Sequence, residues 1–574
     1  MADEVKPVTI DSTATGPIGP IEIVESDNNG GNQVNNQTPI VETITNEPRT
    51  RLIVIYDGTR YQYTQIQIED LKGQHTEITE LNDIQKDKDY YYLNLCIEYN
   101  EDFETILRSY SELVNDEPWI NKFKEIGFHI TFDSNKQSWN EFETEKTEYF
   151  TLIDNLKKVK SKVTQISIID KYDISVASYD NEESQKLLEE IQQDIEPWDN
   201  LEILDYGNNH MMSLKGVKFP EKLGILNIGG GSLNNLEDIQ FPSNLTSLIC
   251  NNNMITSIDN VKFPQSLKTL NLQGNHLYFL NYVDWPKNLE HLDISNNRID
   301  NIRNIEFPST LNSLNISFNP IDNLKGCKFP DNLHHLDISF IPNESMTGIK
   351  FPDYLYSLNL QQSMTNTRGL KLPNLVKILN LGGNGVNSIN PLKLPNSIEY
   401  LNLNNNNIKT LNKVIFPSNL KKLFIGNNLI TTLKNVVFPQ SLDELNIEMD
   451  PELVDNDKRI SNLKDVIFPS NLEVLNLSYQ SIKTIESLEF PLGLKSLDLS
   501  FNELKLLRNV DFGNIRSLNI SGNQELIEID QISIPPTLQM LMIPSQLMGN
   551  LPGYIIERAN NRELEIMKSL PFES

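Results

Sequence analysis

Cysteine and positive charge are both scarce in this chain of 574 residues. The three cysteines, Cys96, Cys250 and Cys327, are far apart and never form a Cys-x-x-Cys pair, so neither a disulfide framework nor a zinc knuckle is predicted. Lysine and arginine number 49 against 78 acidic residues, which gives a formal charge of −29. Nucleic acids and acidic membranes are bound through clustered lysine and arginine. The charge balance therefore argues against both classes of partner.

Long apolar runs and targeting segments are missing as well. No window approaches the ~18 continuous apolar residues that cross a membrane. The N-terminal Met-Ala-Asp-Glu-Val-Lys-Pro has neither the basic nor the apolar part of a secretory signal. Together with the few cysteines, this composition predicts a soluble intracellular protein, cytoplasmic or nuclear.

Motifs that carry enzyme chemistry are missing too. The chain has no Gly-x-x-x-x-Gly-Lys-Ser/Thr phosphate loop, no Gly-x-Ser-x-Gly nucleophile elbow and no His-Glu-x-x-His metal motif. The Gly229–Gly231 run falls in a repeat turn. The side chains of the adjacent His334 and His335 diverge along a strand, which disfavours a shared metal ion. The sequence therefore predicts a non-enzymatic protein without a cofactor or a metal site.

What the sequence does have is a repeat of 22 residues that begins near residue 198. Phe-Pro or a close variant opens each unit, and a Leu-x-Leu segment follows. That alternation is typical of a strand with one face inward. Strands of successive units must stack, because a single unit cannot bury its own apolar face. The middle leucine recurs at positions 204, 226, 248, 270, 292, 314, 336, 358, 379, 401, 423, 445, 475, 497, 518 and 541.

The full pattern is Leu-x-x-Leu-x-Leu-x-x-Asn-x-Leu/Ile, and it resembles the leucine-rich-repeat family over residues 198–545, about fifteen units. The 22-residue length is similar to that of the protein-phosphatase-1 regulatory-subunit type. The Phe-Pro opening resembles the proline-anchored repeats of Candida-type yeast proteins and of amoebal FNIP proteins. The resemblance implies an α/β solenoid, a horseshoe with a parallel concave sheet, that binds proteins.

The remainder of each unit is predicted to be non-helical. Because a unit is short and contains a proline without an N–H group, its convex side should be extended, polyproline-like or 3₁₀. An asparagine recurs in most units and can turn its amide inward to hydrogen-bond the backbone of the bend. It occurs at positions 209, 253, 275, 297, 319, 384, 406, 428, 502 and 523 and is missing from the unit that contains 341–350. We expect these asparagines to form a structural ladder.

Composition and residue pattern divide the chain into four parts. Residues 1–48 are rich in Pro, Gly, Asn and acidic residues, which predicts a disordered tail. Residues 49–197 alternate strand-like runs with charged helical stretches, which predicts a β/α region. Residues 198–545 form the solenoid, and residues 546–574 form a C-terminal cap or tail.

Two interpretations of residues 49–197 remain open. Degenerate β/α units can continue the repeat sheet as an N-terminal cap, or these residues can fold as a separate α/β domain. The first is favoured because the last helical stretch runs into the strand at Leu201 without a linker, and because a solenoid needs a capped end. A sheet continuous with the first repeat would remove the separate domain.

Candidate binding residues lie where the strands face the concave side. The residue between the two strand leucines is Asn or Asp in most units, which suits a curved sheet, and three apolar residues interrupt this column. Aromatic residues within a polar surface are typical anchors of protein interfaces. The candidate protein-binding residues are Ile249, His291, His335, Tyr356, Tyr400 and Phe424.

Two further features carry weaker expectations. A second aromatic set, just before the asparagine turn, is expected to pack inside the solenoid as a spine; it comprises Phe318, Phe340, Tyr479 and Phe501. One unit is longer, since Pro439 and Pro469 are 30 residues apart, and the extra residues fall in the acidic segment 448–457. Such a loop can bind a partner, yet a neutral insertion costs little closure entropy.

Two functions are compatible with these observations. In the first, the chain is a monomeric intracellular scaffold, or a regulatory or targeting subunit, that binds a partner protein on its concave face. In the second, residues 49–197 form a catalytic or ligand-binding α/β domain, and the repeats are its substrate-recruiting arm. The first is favoured.

Overall fold

The computed structural model describes most of the chain after residue 50. It covers the strands between 51 and 170, residues 111, 115, 120, 151–152 and 154–162 beside them, and residues 198–568 apart from 208–212, 343–345, 451, 453–458, 486–487, 506, 508–509, 528 and 530–533. The predicted tail, most of the helical stretches expected between 100 and 197, and most of the acidic insertion lie outside the described residues.

Six described strands precede the repeats. They are β1 (Arg51–Tyr56), β2 (Gln65–Glu69), β3 (His75–Ile78), β4 (Tyr90–Glu98), β5 (Phe123–Phe132) and β6 (Val163–Asp170). An antiparallel edge is formed by β3, β2 and β1, and parallel pairing then runs from β1 through β4 and β5 to β6. Gln165 of β6 lies opposite Ile203 of the first repeat strand. The strands before the repeats therefore belong to the same sheet as the repeats.

Each repeat contributes one short strand, and neighbouring strands pair in parallel with the middle leucines in register. The sixteen strands are β7 (Ile203–Asp205), β8 (Ile225–Asn227), β9 (Ser247–Ile249), β10 (Thr269–Asn271), β11 (His291–Asp293), β12 (Ser313–Asn315), β13 (His335–Asp337), β14 (Ser357–Asn359), β15 (Ile378–Asn380), β16 (Tyr400–Asn402), β17 (Lys422–Phe424), β18 (Glu444–Asn446), β19 (Val474–Asn476), β20 (Ser496–Asp498), β21 (Ser517–Asn519) and β22 (Met540–Ile543). The middle leucine is buried in every one, while the residues on either side remain half-buried or exposed on the concave face. The predicted parallel concave sheet is confirmed.

The repeat asparagines form a ladder through the core. Asn275 donates from Nδ2 to the carbonyl oxygens of Cys250 (2.9 Å) and Leu272 (3.0 Å), and its Oδ1 accepts from the N–H of Ile255 (3.0 Å). One amide thus satisfies backbone groups of two successive units, which would otherwise be buried without partners. The same pattern recurs at Asn253, Asn297, Asn319, Asn384, Asn406, Asn428, Asn502 and Asn523.

The convex side of the described solenoid consists of turns and extended chain, as predicted. In most units the turn is closed by the proline, whose carbonyl accepts the N–H three residues on, as from Leu223 to Pro220 at 3.1 Å. The phenylalanine before it points inward. In successive units these rings stack, with centroids 6.5 Å apart for Phe219 and Phe241 and 5.9 Å apart for Phe490 and Phe512.

The aromatic spine of the solenoid is therefore the Phe-Pro phenylalanine, and the expectation that the second aromatic set forms it is wrong. Phe318 is 50% exposed and stacks on Phe340 at 4.0 Å along the edge of the solenoid, and Tyr479 stacks on Phe501 at 4.4 Å. All four have a left-handed backbone, with φ between 52° and 56°. That conformation turns their side chains outward at the bend.

After the last repeat, a 3₁₀ turn (Ser545–Asn550) and a helix, α1 (Gly553–Asn560), lead to β23 (Glu565–Lys568). β23 adds to the sheet in parallel beyond β22. Arg558 of α1 donates to the carbonyl oxygens of Pro535, at 3.0 Å, and Leu538, at 2.6 Å. The backbone groups of the last unit thus receive partners that a further repeat would otherwise supply.

Candidate protein-binding surface

Strand register decides which candidate residues share the concave surface. His291, His335 and Tyr400 are each the first residue of a strand, and Ile249 and Phe424 are each the third. Both positions flank the buried leucine and face the concave side. Tyr356 differs from them, because it lies one residue before β14, and His335 is opposite Ser357.

Tyr356 nevertheless joins a cluster. Its ring centroid is 5.9 Å from that of His335, one strand earlier. On the other side, the ammonium group of Lys377 lies 5.6 Å from the centroid of the same ring. This is within the range in which a cation is attracted to the negative face of an aromatic ring. The spacing of residues in the sequence does not point to Lys377, because a contact between neighbouring strands depends on how far each side chain reaches sideways.

A second aromatic pair lies next to this cluster. The rings of Tyr400 and Phe424 are 5.2 Å apart and inclined by 35°, although the two residues occupy opposite ends of neighbouring strands. Burial and the nearby carboxylate of Glu444 raise the pKa of the Tyr400 hydroxyl above its ordinary value. The phenol therefore stays protonated at neutral pH and can donate a hydrogen bond.

These residues occupy five consecutive strand positions, from β13 to β17. We call His335, Tyr356, Lys377, Tyr400 and Phe424 the concave patch. The other two candidates lie outside it. His291 is on β11, two strands before β13, and Ile249 is on β9, four strands before it, or roughly 19 Å at ~4.8 Å per strand.

The two histidines are held neutral. Burial lowers the pKa of His291, and the positive charge of Lys268 lowers it further while Glu290 opposes the shift. Burial also lowers the pKa of His335, and so do His334 and His291. Since both values fall below the ordinary 6.5, these imidazoles present one donor and one acceptor at pH 7 rather than a charge.

Most charges around the concave patch are paired with one another, although Oδ1 of the neighbouring Asp443 is buried without a hydrogen-bond partner. Such exposed pairs contribute little to stability, but they cancel the local charge of a strongly acidic protein. The pairs on this face are Lys268–Glu290 (2.9 Å), Lys377–Glu399 (2.9 Å), Lys421–Glu399 (2.8 Å), Lys422–Glu444 (2.8 Å) and Lys495–Glu473 (2.6 Å). The concave patch is therefore an aromatic surface within an electrically balanced frame.

The Asn/Asp column has a structural role. Asp293 accepts from the N–H of Ser295 at 2.9 Å and from the amide of Asn315, one unit on, at 3.1 Å. Asp337 makes the equivalent bond with Asn359 at 2.9 Å. These side chains fold over the strand ends and link neighbouring units. This geometry supports the interpretation that the column suits the curved sheet. Ile249 and Phe424 interrupt the column and cannot make these hydrogen bonds.

Asp293→Asn is expected to gain stability relative to the parent chain as the pH rises. Burial raises the pKa of Asp293, with a contribution from the charge of Asp337, against the hydrogen bonds from Ser295 and Asn315. A carboxyl whose folded-state pKa is raised contributes stability below its unfolded pKa and loses it as the pH rises through its folded pKa. Urea midpoints of both chains across pH 3–7 would measure the difference. Asp300→Asn, at an exposed position, is the control and should show no comparable trend.

Potential metal ligands and thiols are the groups most able to react in the described part of the chain, and neither set is placed or activated for it. No group of three His, Cys, Asp or Glu side chains there is placed to hold a metal ion. Burial raises the pKa of both described thiols, that of Cys327 to about 11 and that of Cys250 further, which disfavours thiolate chemistry. An open groove of about 780 Å³ lies on the convex side, between Phe-Pro turns and lysines such as Lys328 and Lys350. It is remote from the concave patch.

Comparisons with known proteins give one match to a family model and several similar solved structures. A Leucine Rich Repeat family model matches residues 288–309, a single unit. An internalin from Listeria monocytogenes is 20% identical, covering 62% of this chain and 88% of its own, with a TM-score of 0.36. The leucine-rich effector YopM from Yersinia pestis is 21% identical over 56% of this chain and 88% of its own, with a TM-score of 0.36. The Toll–Spätzle complex of Drosophila is 15% identical over 90% of this chain and 72% of its own, with a TM-score of 0.46.

No curated protein matches the chain. Within the described residues, no helix is both long and apolar enough to cross a membrane. The parallel strand stack and the asparagine ladder, taken with the matched repeat unit, identify the fold as a leucine-rich-repeat solenoid of short units with a mostly non-helical convex side.

Proposed function

We propose that this chain is a non-enzymatic scaffold, or a regulatory or targeting subunit, that binds a partner protein on its concave face. The observation that carries the proposal is the concave patch. It gathers two aromatic pairs and a cation over an aromatic ring on five neighbouring strands. Aromatic side chains with a polar end supply a large contact area at a low cost in conformational entropy, and they dominate protein interfaces.

The setting of the concave patch supports this role. The strands beneath it are fixed by the buried leucines Leu336 to Leu423. The ladder asparagines Asn384, Asn406 and Asn428 add hydrogen bonds in the units of β15, β16 and β17, while Ile341 and Ser363 occupy this position in the units of β13 and β14. This packing preorganises the surface, so that little ordering entropy is lost on binding. The paired lysines and glutamates around it favour a partner segment that is close to neutral and provides aromatic or aliphatic side chains. Ile249 and His291 lie where a longer partner would extend along the same face.

The alternative, a catalytic or ligand-binding domain before the repeats, receives less support. Parallel pairing from β4 to β7 runs without a break, and residues 49–574 form one compact unit. This arrangement favours the interpretation of 49–197 as degenerate β/α units that continue the repeat sheet.

For the scaffold itself, the family resemblance also allows a role as a subunit of a phosphatase or a ubiquitin ligase.

Changing the concave patch is expected to abolish partner recovery without unfolding the chain. Phe424→Glu and Tyr400→Glu place a charge where a partner would bury an apolar ring, which should reduce recovery at least tenfold. The measurement is quantitative mass spectrometry after crosslinking and purification of the full chain from its native cell. Lys409→Glu, at an exposed position between strands of the same region, is the matched control.

Thermal midpoints should accompany these measurements, and all three variants should stay within a few degrees of the parent chain. If the two patch variants recover the same partners in the same amounts as Lys409→Glu, the concave patch is not the binding site. If only a chain that contains residues 49–197 recovers a partner, and the patch variants recover it too, the result favours a catalytic or ligand-binding domain before the repeats.

A further inference from the structure

A second surface lies on the convex side, formed by the residue two positions before each repeat proline, or before Gly513 in the unit that lacks the proline. All these side chains are exposed. We call the nine consecutive positions from Lys328 to Asp511 the convex row; the position before them in the same line is Glu306. Over nine consecutive units it reads Lys328, Lys350, Lys371, Lys393, Ile415, Val437, Ile467, Glu489 and Asp511. Four basic residues are followed by three aliphatic ones and then by two acidic ones.

The aliphatic centre of the convex row is unusually open to solvent. Ile415 is 87% exposed, Val437 79% and Ile467 80%, and they belong to neighbouring units, since β17, β18 and β19 pair in sequence. Isolated apolar side chains are normal on a protein surface, but a contiguous group marks an interaction site. Each Å² of apolar area that a partner covers contributes roughly 25 cal/mol.

The flanking charges differ from those of the concave face. Concave lysines such as Lys377 and Lys421 bind a glutamate of a neighbouring unit. In the part of the chain that the structure describes, Lys371 and Lys393 make no such ion pair, and neither does Glu489. Asp511 uses one carboxylate oxygen to accept the N–H of Gly513 at 2.9 Å, which leaves the other oxygen available. The row thus presents uncompensated charge of opposite sign at its two ends.

The order of these residues is complementary to itself. If a second copy of the row is laid antiparallel on the first, with a twofold axis at Val437, Ile415 faces Ile467 of the other copy. Lys393 then faces Glu489, and Lys371 faces Asp511. A twofold interface requires this property, because any contact between two positions must be repeated with the copies exchanged.

We propose that the chain forms a homodimer through the convex row, with the twofold axis at Val437. This assembly replaces the monomer expected from the sequence. It leaves the concave faces of both copies open for the proposed partner. Two convex surfaces touch over only a few units, so the interface is smaller than the ~800 Å² per partner of a standard complex, and the dimer is expected to be a weak one.

The test is sedimentation velocity of the full chain over a concentration series that reaches the order of 100 μM, where a micromolar dimer is saturated. Val437→Asp is expected to remove the dimer while leaving the thermal midpoint unchanged, because the side chain is almost fully exposed. Lys393→Glu alone and Glu489→Lys alone should each raise the dissociation constant at least tenfold, because each brings like charges together. Lys409→Glu, off the row, should behave as the parent chain.

The double variant Lys393→Glu with Glu489→Lys tests whether position 393 of one copy faces position 489 of the other. In the twofold dimer it restores opposite charges across the interface, so dimerisation should recover to near the parent value. If the row binds a different protein instead, the parent chain and all the variants would remain monomeric. A parent chain that stays monomeric throughout the series, or a dimer that Val437→Asp leaves intact, overturns the proposal.

Discussion

Leu314→Asp is expected to unfold the repeats around β12 and to lower the thermal midpoint of the chain by many degrees. Leu314 is 1% exposed and lies between Leu292 and Leu336 in the register of the sheet. An ionised carboxylate at this position would be buried in an apolar core without a cation to pair with it, and the cost exceeds about 4 kcal/mol, the upper range for single substitutions. Circular dichroism during heating would measure the loss.

Repeat architecture adds a second signature to this result. Each unit contacts only its neighbours, so a defect at β12 removes the support of β11 and β13 first. Hydrogen exchange should therefore show loss of protection centred on these strands and decaying toward both ends.

Two comparison variants test the orientation of this strand. Leu314→Ala, which leaves a cavity, should cost about 2–5 kcal/mol. Ser313→Asp, on the concave side of the same strand, should cost little. A full-length chain that tolerates Leu314→Asp as well as Ser313→Asp would contradict the inward orientation of the leucine.

The repeat core could be predicted from the sequence because each of its constraints recurs. Sixteen leucines, most of them 22 residues apart, specify the inward strand position, and in the units that have the asparagine it follows at a constant offset. The aromatic residues were harder, since two of them recur per unit in part of the chain and either could fill the interior. The position of Phe318 is taken by Asn252, Asn296, Asn405 and Asn427 in other units, all with positive φ. Asparagine favours that backbone conformation. The asparagines at this position therefore indicate, from the sequence alone, that the side chain here turns outward.

The candidate surface was predicted residue by residue but not as a group. Position within the unit identified Tyr400 and Phe424 as concave, and the structure places their rings in contact. Tyr356 came from a different position of its unit, and it reaches His335 only because a long side chain spans the gap between neighbouring strands. Such lateral contacts depend on rotamers and on the twist of the sheet, which the spacing of residues in a sequence does not contain.

Asn319→Asp is expected to be nearly as damaging as a buried charge at the leucine position, and by a different mechanism. Asn319 is 2% exposed and donates from Nδ2 to the carbonyl oxygens of Ile294 (2.9 Å), Ile316 (3.0 Å) and Ser317 (3.2 Å). A carboxylate would place an acceptor against three acceptors. The carbonyls of Ile294 and Ile316 would lose this donor, at about 1–3 kcal/mol for each one left unsatisfied, whereas that of Ser317 still accepts the N–H of Asn296 at 2.9 Å. Repulsion by the new charge adds to the cost.

The pH dependence of Asn319→Asp separates this mechanism from simple loss of packing. Burial among carbonyl oxygens would raise the pKa of the new carboxyl, so its damage should be greatest at pH 7 and should lessen as the pH falls toward 4, where the protonated acid can donate one hydrogen bond. Asn319→Ala should cost a similar amount at both pH values. Asn301→Asp is the control, since Asn301 is exposed and uses only its oxygen, as an acceptor from the N–H of Arg303 at 2.9 Å. Urea unfolding of the three variants at the two pH values would measure these differences.

A cost for Asn319→Asp that is the same at both pH values would show that the ladder is maintained by shape alone. A cost that falls with the pH would show that it is maintained by the direction of its hydrogen bonds.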